Sequence, residues 1–282
     1  MELPTICFVF PYIFILVFIL IHIAIFFLII KFVENVQKLT FLWGMINWSV
    51  AIGILYFVPI QFIPINKETK DSGLKILKAI IYGIIPPITE DVGRLIVFTF
   101  IYKSKKHNFN NSLIFGAGHG GWESIILMAL DQISNLSNFY SIKNSKSEEE
   151  LNNNKLLKIY EKYKDGMIID DFIGVITRFF GNIFHICATI IAYRLSLNRK
   201  ERKYIIYFVI CFIFHFIIDA IGQSIVLFEL SILYNLLFPV LVIILFVISY
   251  FIWIENKNKD FNDNDNDNDN DNEMENKVYL IE

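Results

Sequence analysis

Charge is scarce in this chain. Asp, Glu, Lys and Arg make up 19% of its 282 residues, where a soluble domain carries about 25%. The apolar remainder is gathered into long runs rather than scattered: 55% of residues are hydrophobic, and 28 residues are Phe. That combination excludes an ordinary water-soluble domain. Cysteine is scarcer still. Cys7, Cys187 and Cys211 all lie in apolar runs; an odd count without paired spacing excludes a disulfide framework and leaves small packing residues. Only five histidines are present, too few for the histidine-rich boxes of di-iron chemistry. The zinc-protease pattern HExxH is missing as well; the nearest segment is HGGWE at 119–123. A net charge of −3 and no basic cluster of the nucleic-acid type leave no nucleic-acid partner in view.

What is present is membrane-length hydrophobicity. A helix that crosses a bilayer needs about 20 mostly apolar residues, and seven such runs occur, at about 7–31, 41–65, 75–102, 112–135, 168–194, 204–224 and 226–254. The first has only Glu2 before it and is far longer than a signal-peptide apolar region, so it reads as a retained span. The expected fold is an all-α polytopic membrane bundle of about seven transmembrane helices, a single domain over 1–258 whose partner is the lipid bilayer. Within it, 136–166 reads as an extramembrane loop. The Asn/Asp alternation of 259–282 cannot bury a core and reads as a disordered tail. Basic residues at the span ends (Lys31 and Lys38; Lys103, Lys105 and Lys106; Arg194, Arg199, Lys200, Arg202 and Lys203; Lys257 and Lys259) fall on one side if the N-terminus is outside and the C-terminus cytosolic. The lysines of 136–166 oppose that orientation but lie mostly away from the span ends.

Against this apolar background, ionisable residues inside spans are informative, because each costs about 2.5–3.5 kcal/mol or more on insertion scales. The third span reads AIIYGIIPPITEDVGRLIVFTFIY. Pro86 and Pro87 remove two backbone donors and predict a kink or break. Glu90, Asp91 and Arg94 follow at once, with Glu90 and Arg94 four apart on one helix face. The fourth span carries GAGHGGWES, 116–124, where His119 and Glu123 are again four apart and four glycines strip side chains from around the histidine. Glu123 is placed to orient His119. The sixth span adds His215 and Asp219 at the same spacing. The fifth adds Arg178, Asn182 and His185 as one polar stripe. His22, alone in the first span, reads as a packing residue. Taken singly, each pair is as well explained by an ion pair or a helix-fastening hydrogen bond. Together they favour one interior cluster walled by spans three to six, since polar groups in lipid must find one another.

Three chemistries fit such a cluster. In a hydrolase, a carboxylate beside a histidine takes the proton of water and a second histidine steadies the oxyanion. In a metal site, His119, Glu123, His185, His215 and Asp219 are acceptable zinc ligands. In a proton- or ion-coupled transporter, acid–histidine relays mark the path, although the Pro-Pro break has no matching break in a second half, as inverted repeats would show. A fourth possibility is that the pairs only hold the bundle together in a catalytically silent scaffold.

The set Glu90-Asp91-x-x-Arg94, Gly116-Ala-Gly-His119-Gly-Gly-Trp-Glu123 and His215-x-x-x-Asp219 resembles the YhfC-type branch of the glutamic intramembrane proteases, which is grouped with PrsW-type proteases, CAAX-prenyl proteases and bacteriocin-processing enzymes. The resemblance covers about 80–222. It implies a metal-independent intramembrane endopeptidase without a cofactor, acting on a membrane-embedded protein or peptide. Residue by residue, it implies that Glu90 is the base activating water, that Arg94 fills the basic position one turn on, and that His119, with Phe115 four residues before it, assists that base. It further implies that His215 and Asp219 hold the oxyanion and that His185 takes the place of a third-motif histidine. The first motif of the family begins with two glutamates where this chain has Glu90-Asp91, so either acid could be the base; Glu90 is preferred.

Overall fold

A computed structural model describes residues 6–32, 37–57, 72–101, 109–144, 168–228 and 237–255. Among these, every element is helical, and the seven helices follow the seven apolar runs. They are α1 (Ile6–Phe32), α2 (Leu39–Phe57), α3 (72–101), α4 (Phe109–Asn144), α5 (Ile168–Leu197), α6 (Arg202–Phe228) and α7 (Leu237–Glu255). Four of them contain stretches long and apolar enough to cross a membrane: Phe109–Asn138, Ile173–Leu197, Arg202–Gly222 and Leu237–Glu255. Helix α4 runs past the expected span end at 135 to Asn144. The rest of the expected loop, the Asn/Asp tail at 259–282 and the span-end residues Lys103, Lys105, Lys106, Lys257 and Lys259 lie outside the described residues.

The exterior is oily and the interior holds charge. Leu16, Leu20, Phe27, Phe100, Phe246 and Phe251 are all more than half exposed, while Arg94 and His119 are 0% exposed. This inverts the usual soluble pattern and suits a hydrocarbon surround. One apolar layer, with Phe98, Phe115, Phe184, Ile191, Tyr193, Leu245 and Ile252, packs α3, α4, α5 and α7 together.

Helix α4 is central, packed against α1, α2 and α5, while α3 packs chiefly on α6. Its glycines explain how. A side chain on Gly118 would meet the Phe41 carbonyl of α2, and one on Gly44 of α2 would meet the Phe115 carbonyl of α4. On the other flank, a Cβ on Gly116 would lie 2.6 Å from the Ile186 backbone and one on Gly120 would lie 2.7 Å from Asn182 Oδ1, both on α5. The backbones of three helices thus come nearly into contact around His119, as small residues permit in membranes.

Helix α3 is where local sequence shapes the site. Instead of breaking at Pro86-Pro87, the chain continues as Ser72–Pro86 (α-helical), Pro87–Asp91 (π-helical), Val92–Ile96 (α-helical) and Val97–Ile101 (π-helical). Two missing N–H groups are absorbed by widening the turn rather than by ending the helix. The Thr89 hydroxyl donates to the Ile85 carbonyl at 3.0 Å and the Pro86 carbonyl at 3.2 Å, giving these irregular carbonyls a partner. In the widened turn the adjacent carboxylates Glu90 and Asp91 are both buried, although neighbours on a regular helix point about 100° apart.

Candidate functional site

One carboxylate oxygen is the hub. Glu90 Oε2 accepts from His119 Nε2 at 2.8 Å and from Arg94 Nη2 at 3.3 Å. It also lies 3.8 Å from His185 Nδ1 and 3.8 Å from His215 Nε2. Three histidines from three helices thus surround one glutamate. Asp91 sits one residue on, bonded to Arg94 Nη1 and accepting from His215 Nδ1 at 3.0 Å. The Arg94 guanidinium reaches both carboxylates and donates to His185 Nδ1 at 2.6 Å. A buried charge is tolerable only when paired and hydrogen-bonded, and the fork of Arg94 meets that condition with three partners.

A second carboxylate pair lies beyond. His185 Nε2 is 2.6 Å from Glu123 Oε2, and Arg178 Nη1 is 3.5 Å from Glu123 Oε1. His215 Nε2 is 3.3 Å from Asp219 Oδ2. These groups open on a cavity of about 430 Å³ whose polar wall is Glu90, Glu123, Arg178, His185, His215 and Asp219, with Trp48, Pro86 and Phe184 among its apolar lining. Asp91, Arg94 and His119 stand behind that wall.

Nine of the ten residues singled out from the sequence therefore meet in one place: Glu90, Asp91, Arg94, His119, Glu123, Arg178, His185, His215 and Asp219. Asn182 does not join them. Its Nδ2 donates to His22 Nε2 at 3.0 Å, tying α5 to α1 on a separate apolar cavity. His22 itself donates from Nδ1 to the Phe18 carbonyl at 2.9 Å. The expected pairing of Glu123 with His119 is replaced by other contacts. His119 is held by Glu90 and, from α2, by Asn47, whose Nδ2 lies 3.2 Å from His119 Nδ1; Glu123 turns to His185 and Arg178 instead. Sequence reasoning passed over Asn47. The signal was a lone amide in the apolar run FLWGMINWSVAIG.

Glu90, His119, Glu123 and His185 each offer one ligand atom within 4.8 Å of the others, a donor set suitable by type for a divalent ion. The hydrogen bonds around it run the other way. An amide NH₂ and a guanidinium can only donate, so His119 Nδ1 and His185 Nδ1 are acceptors and each ring carries its proton on Nε2, facing a carboxylate. A metal-ligating histidine instead donates its outer N–H to an acceptor. The 2.8 Å His119–Glu90 separation is a hydrogen-bond length, shorter than the roughly 3.3–3.5 Å between ligands of one zinc bound at 2.0–2.2 Å.

An apolar helical bundle with a charged, histidine-lined chamber at its centre defines an integral membrane protein with an internal polar site. The chain belongs to the YhfC family: the sequence model described as YhfC intramembrane metalloprotease matches residues 13–244. It is also 33% identical over 97 residues to the uncharacterized membrane protein YhfC of Bacillus subtilis (strain 168), a stretch covering 34% of this chain and 37% of that protein. No solved structure matches.

Proposed function

We propose that this protein is an intramembrane endopeptidase of the glutamic type, in which Glu90 activates a water molecule in the central cavity. The observation that carries the reading is the environment of Glu90 Oε2: one carboxylate at the cavity wall, gripped from behind by His119 at 2.8 Å and faced by two further histidines at 3.8 Å. In the first step Glu90 takes a proton from water as the water oxygen bonds to the scissile carbonyl carbon. His215, on the cavity wall and backed by Asp91 and Asp219, donates to the oxygen that becomes negative. Glu90 then returns its proton to the amide nitrogen as the C–N bond breaks. Arg94 bridges Glu90 and Asp91, and His119 orients the Glu90 carboxylate. The substrate is a membrane-embedded protein or membrane-proximal peptide. The basic segment between α5 and α6 faces the cytosol, with the N-terminus outside and the C-terminus cytosolic.

A metal-dependent version has two points in its favour: the family's description as a metalloprotease, and the four donor residues Glu90, His119, Glu123 and His185 gathered within 4.8 Å. The donor-facing Nδ1 atoms of His119 and His185 oppose it, and the residues as arranged do not fit such an ion. Two comparisons test the reading. Glu90→Gln should abolish cleavage with normal membrane insertion, and purified protein should retain no stoichiometric zinc. Cleavage that vanishes with chelator and returns with zinc would overturn the glutamic assignment.

A further inference from the structure

We propose that Asn47 is a positioning residue: it fixes His119 in the neutral form protonated at Nε2, so that this ring donates to Glu90. Asn47 is buried in the middle of α2, 8% exposed. Its Nδ2 carries two hydrogens and meets two acceptors, the Glu90 backbone carbonyl at 3.3 Å and His119 Nδ1 at 3.2 Å. The carbonyl cannot donate, so it selects the amide orientation with NH₂ inward; the same NH₂ then forces His119 Nδ1 to accept. The other end of the amide is accommodated separately. A Cβ on Gly93 would stand 2.5 Å from Asn47 Oδ1, so the glycine in the turn after Asp91 leaves the space that oxygen occupies. One side chain on α2 therefore holds both the backbone of the π-helical turn and the ring behind Glu90.

The consequence is chemical. With Nε2–H pointing at Glu90 Oε2, His119 shares a proton with the base and has no lone pair on that side for a metal. Were an acceptor at position 47, the proton would move to Nδ1. The Nε2 lone pair would then face Glu90, and the arrangement would become the carboxylate–histidine pair that supports zinc ligands. The identity of this one amide thus separates a proton-sharing site from a metal-ready one. The catalytic consequence rests on Glu90 being the base; the tautomer does not.

The test is nitrogen-15 NMR of the five histidine rings in the purified full chain in detergent micelles, with His119 assigned by its loss in His119→Gln. The native chain should show His119 protonated at Nε2 only. Asn47→Asp should move the proton to Nδ1 and, dialysed against zinc and washed, should retain about one equivalent that the native chain does not. Asn47→Leu should give a mixed or averaged tautomer, and cleavage of any identified substrate should fall about 100-fold or more in kcat with KM little changed, the usual range for general acid–base groups. A native His119 protonated at Nδ1 overturns the proposal without needing any variant to fold. So does a tautomer unchanged in both variants. If the tautomers behave as stated while Glu90→Gln still cleaves, Asn47 keeps its role and the assignment of Glu90 falls. If Glu90→Gln is dead but the tautomers do not follow residue 47, the reverse holds.

Discussion

Arg94 touches no solvent, yet it holds two carboxylates and a histidine. Its removal should be structural before it is catalytic. Arg94→Met leaves Glu90 and Asp91 buried without their shared guanidinium, and such broken pairs cost about 3–5 kcal/mol; thermal unfolding in detergent should show a large drop. Arg178→Met makes the contrast. Its side chain is 30% exposed and makes one 3.5 Å ion pair, an interaction worth about 0–1 kcal/mol, so stability should scarcely move. Comparable losses in the two variants would contradict the buried-network account. At this scale the sequence was legible where spacing decides. Glu90 with Arg94, and His215 with Asp219, are neighbours because i and i+4 share a helix face. It misled where two helices compete for one side chain: His119 and Glu123 share a face, but Glu90 and Asn47 claim the histidine from α3 and α2. Asn182 belonged to the right stripe by count, yet its amide reaches His22. Nothing in a one-dimensional pattern records which neighbouring helix stands nearest.

Among the elements, α4 depends on its glycines. Gly118→Val, or Gly44→Val on the facing helix, would drive a side chain into a backbone carbonyl across the α2–α4 contact. Overpacking of this sort costs about 1–3 kcal/mol or more. It should also separate Asn47 from His119, so activity should fall further than stability alone explains. Gly53→Ala, also on α2 but with nothing within 4 Å of the added Cβ, should be neutral or stabilising by up to about 1 kcal/mol. Unfolding and activity measured on the three variants check this; a Gly53 change as harmful as the other two would contradict it. The glycine cluster was visible in the sequence as a close crossing. The two π-helical turns of α3 were not. Pro86-Pro87 announces a disturbed helix, but whether the chain breaks or widens depends on partners such as the Thr89 hydroxyl and on the helices packed around it.

For the molecule as a whole, hydropathy was sufficient to read an all-helical membrane bundle, because seven runs of spanning length leave few other solutions. Orientation rests on basic residues alone. A cysteine introduced at Asn198, between α5 and α6, should react with a membrane-impermeant thiol reagent only after the membrane is opened, which an exterior position would contradict. The central claim is that the chamber around Glu90 cuts peptide bonds. It is tested most directly by comparing new protein N-termini in membranes from cells carrying the native chain, Glu90→Gln, or no copy. The account predicts a set of termini present with the native chain, absent equally in the other two, with the Gln variant at normal abundance and the native termini surviving metal chelation. Termini that persist with Glu90→Gln would contradict it.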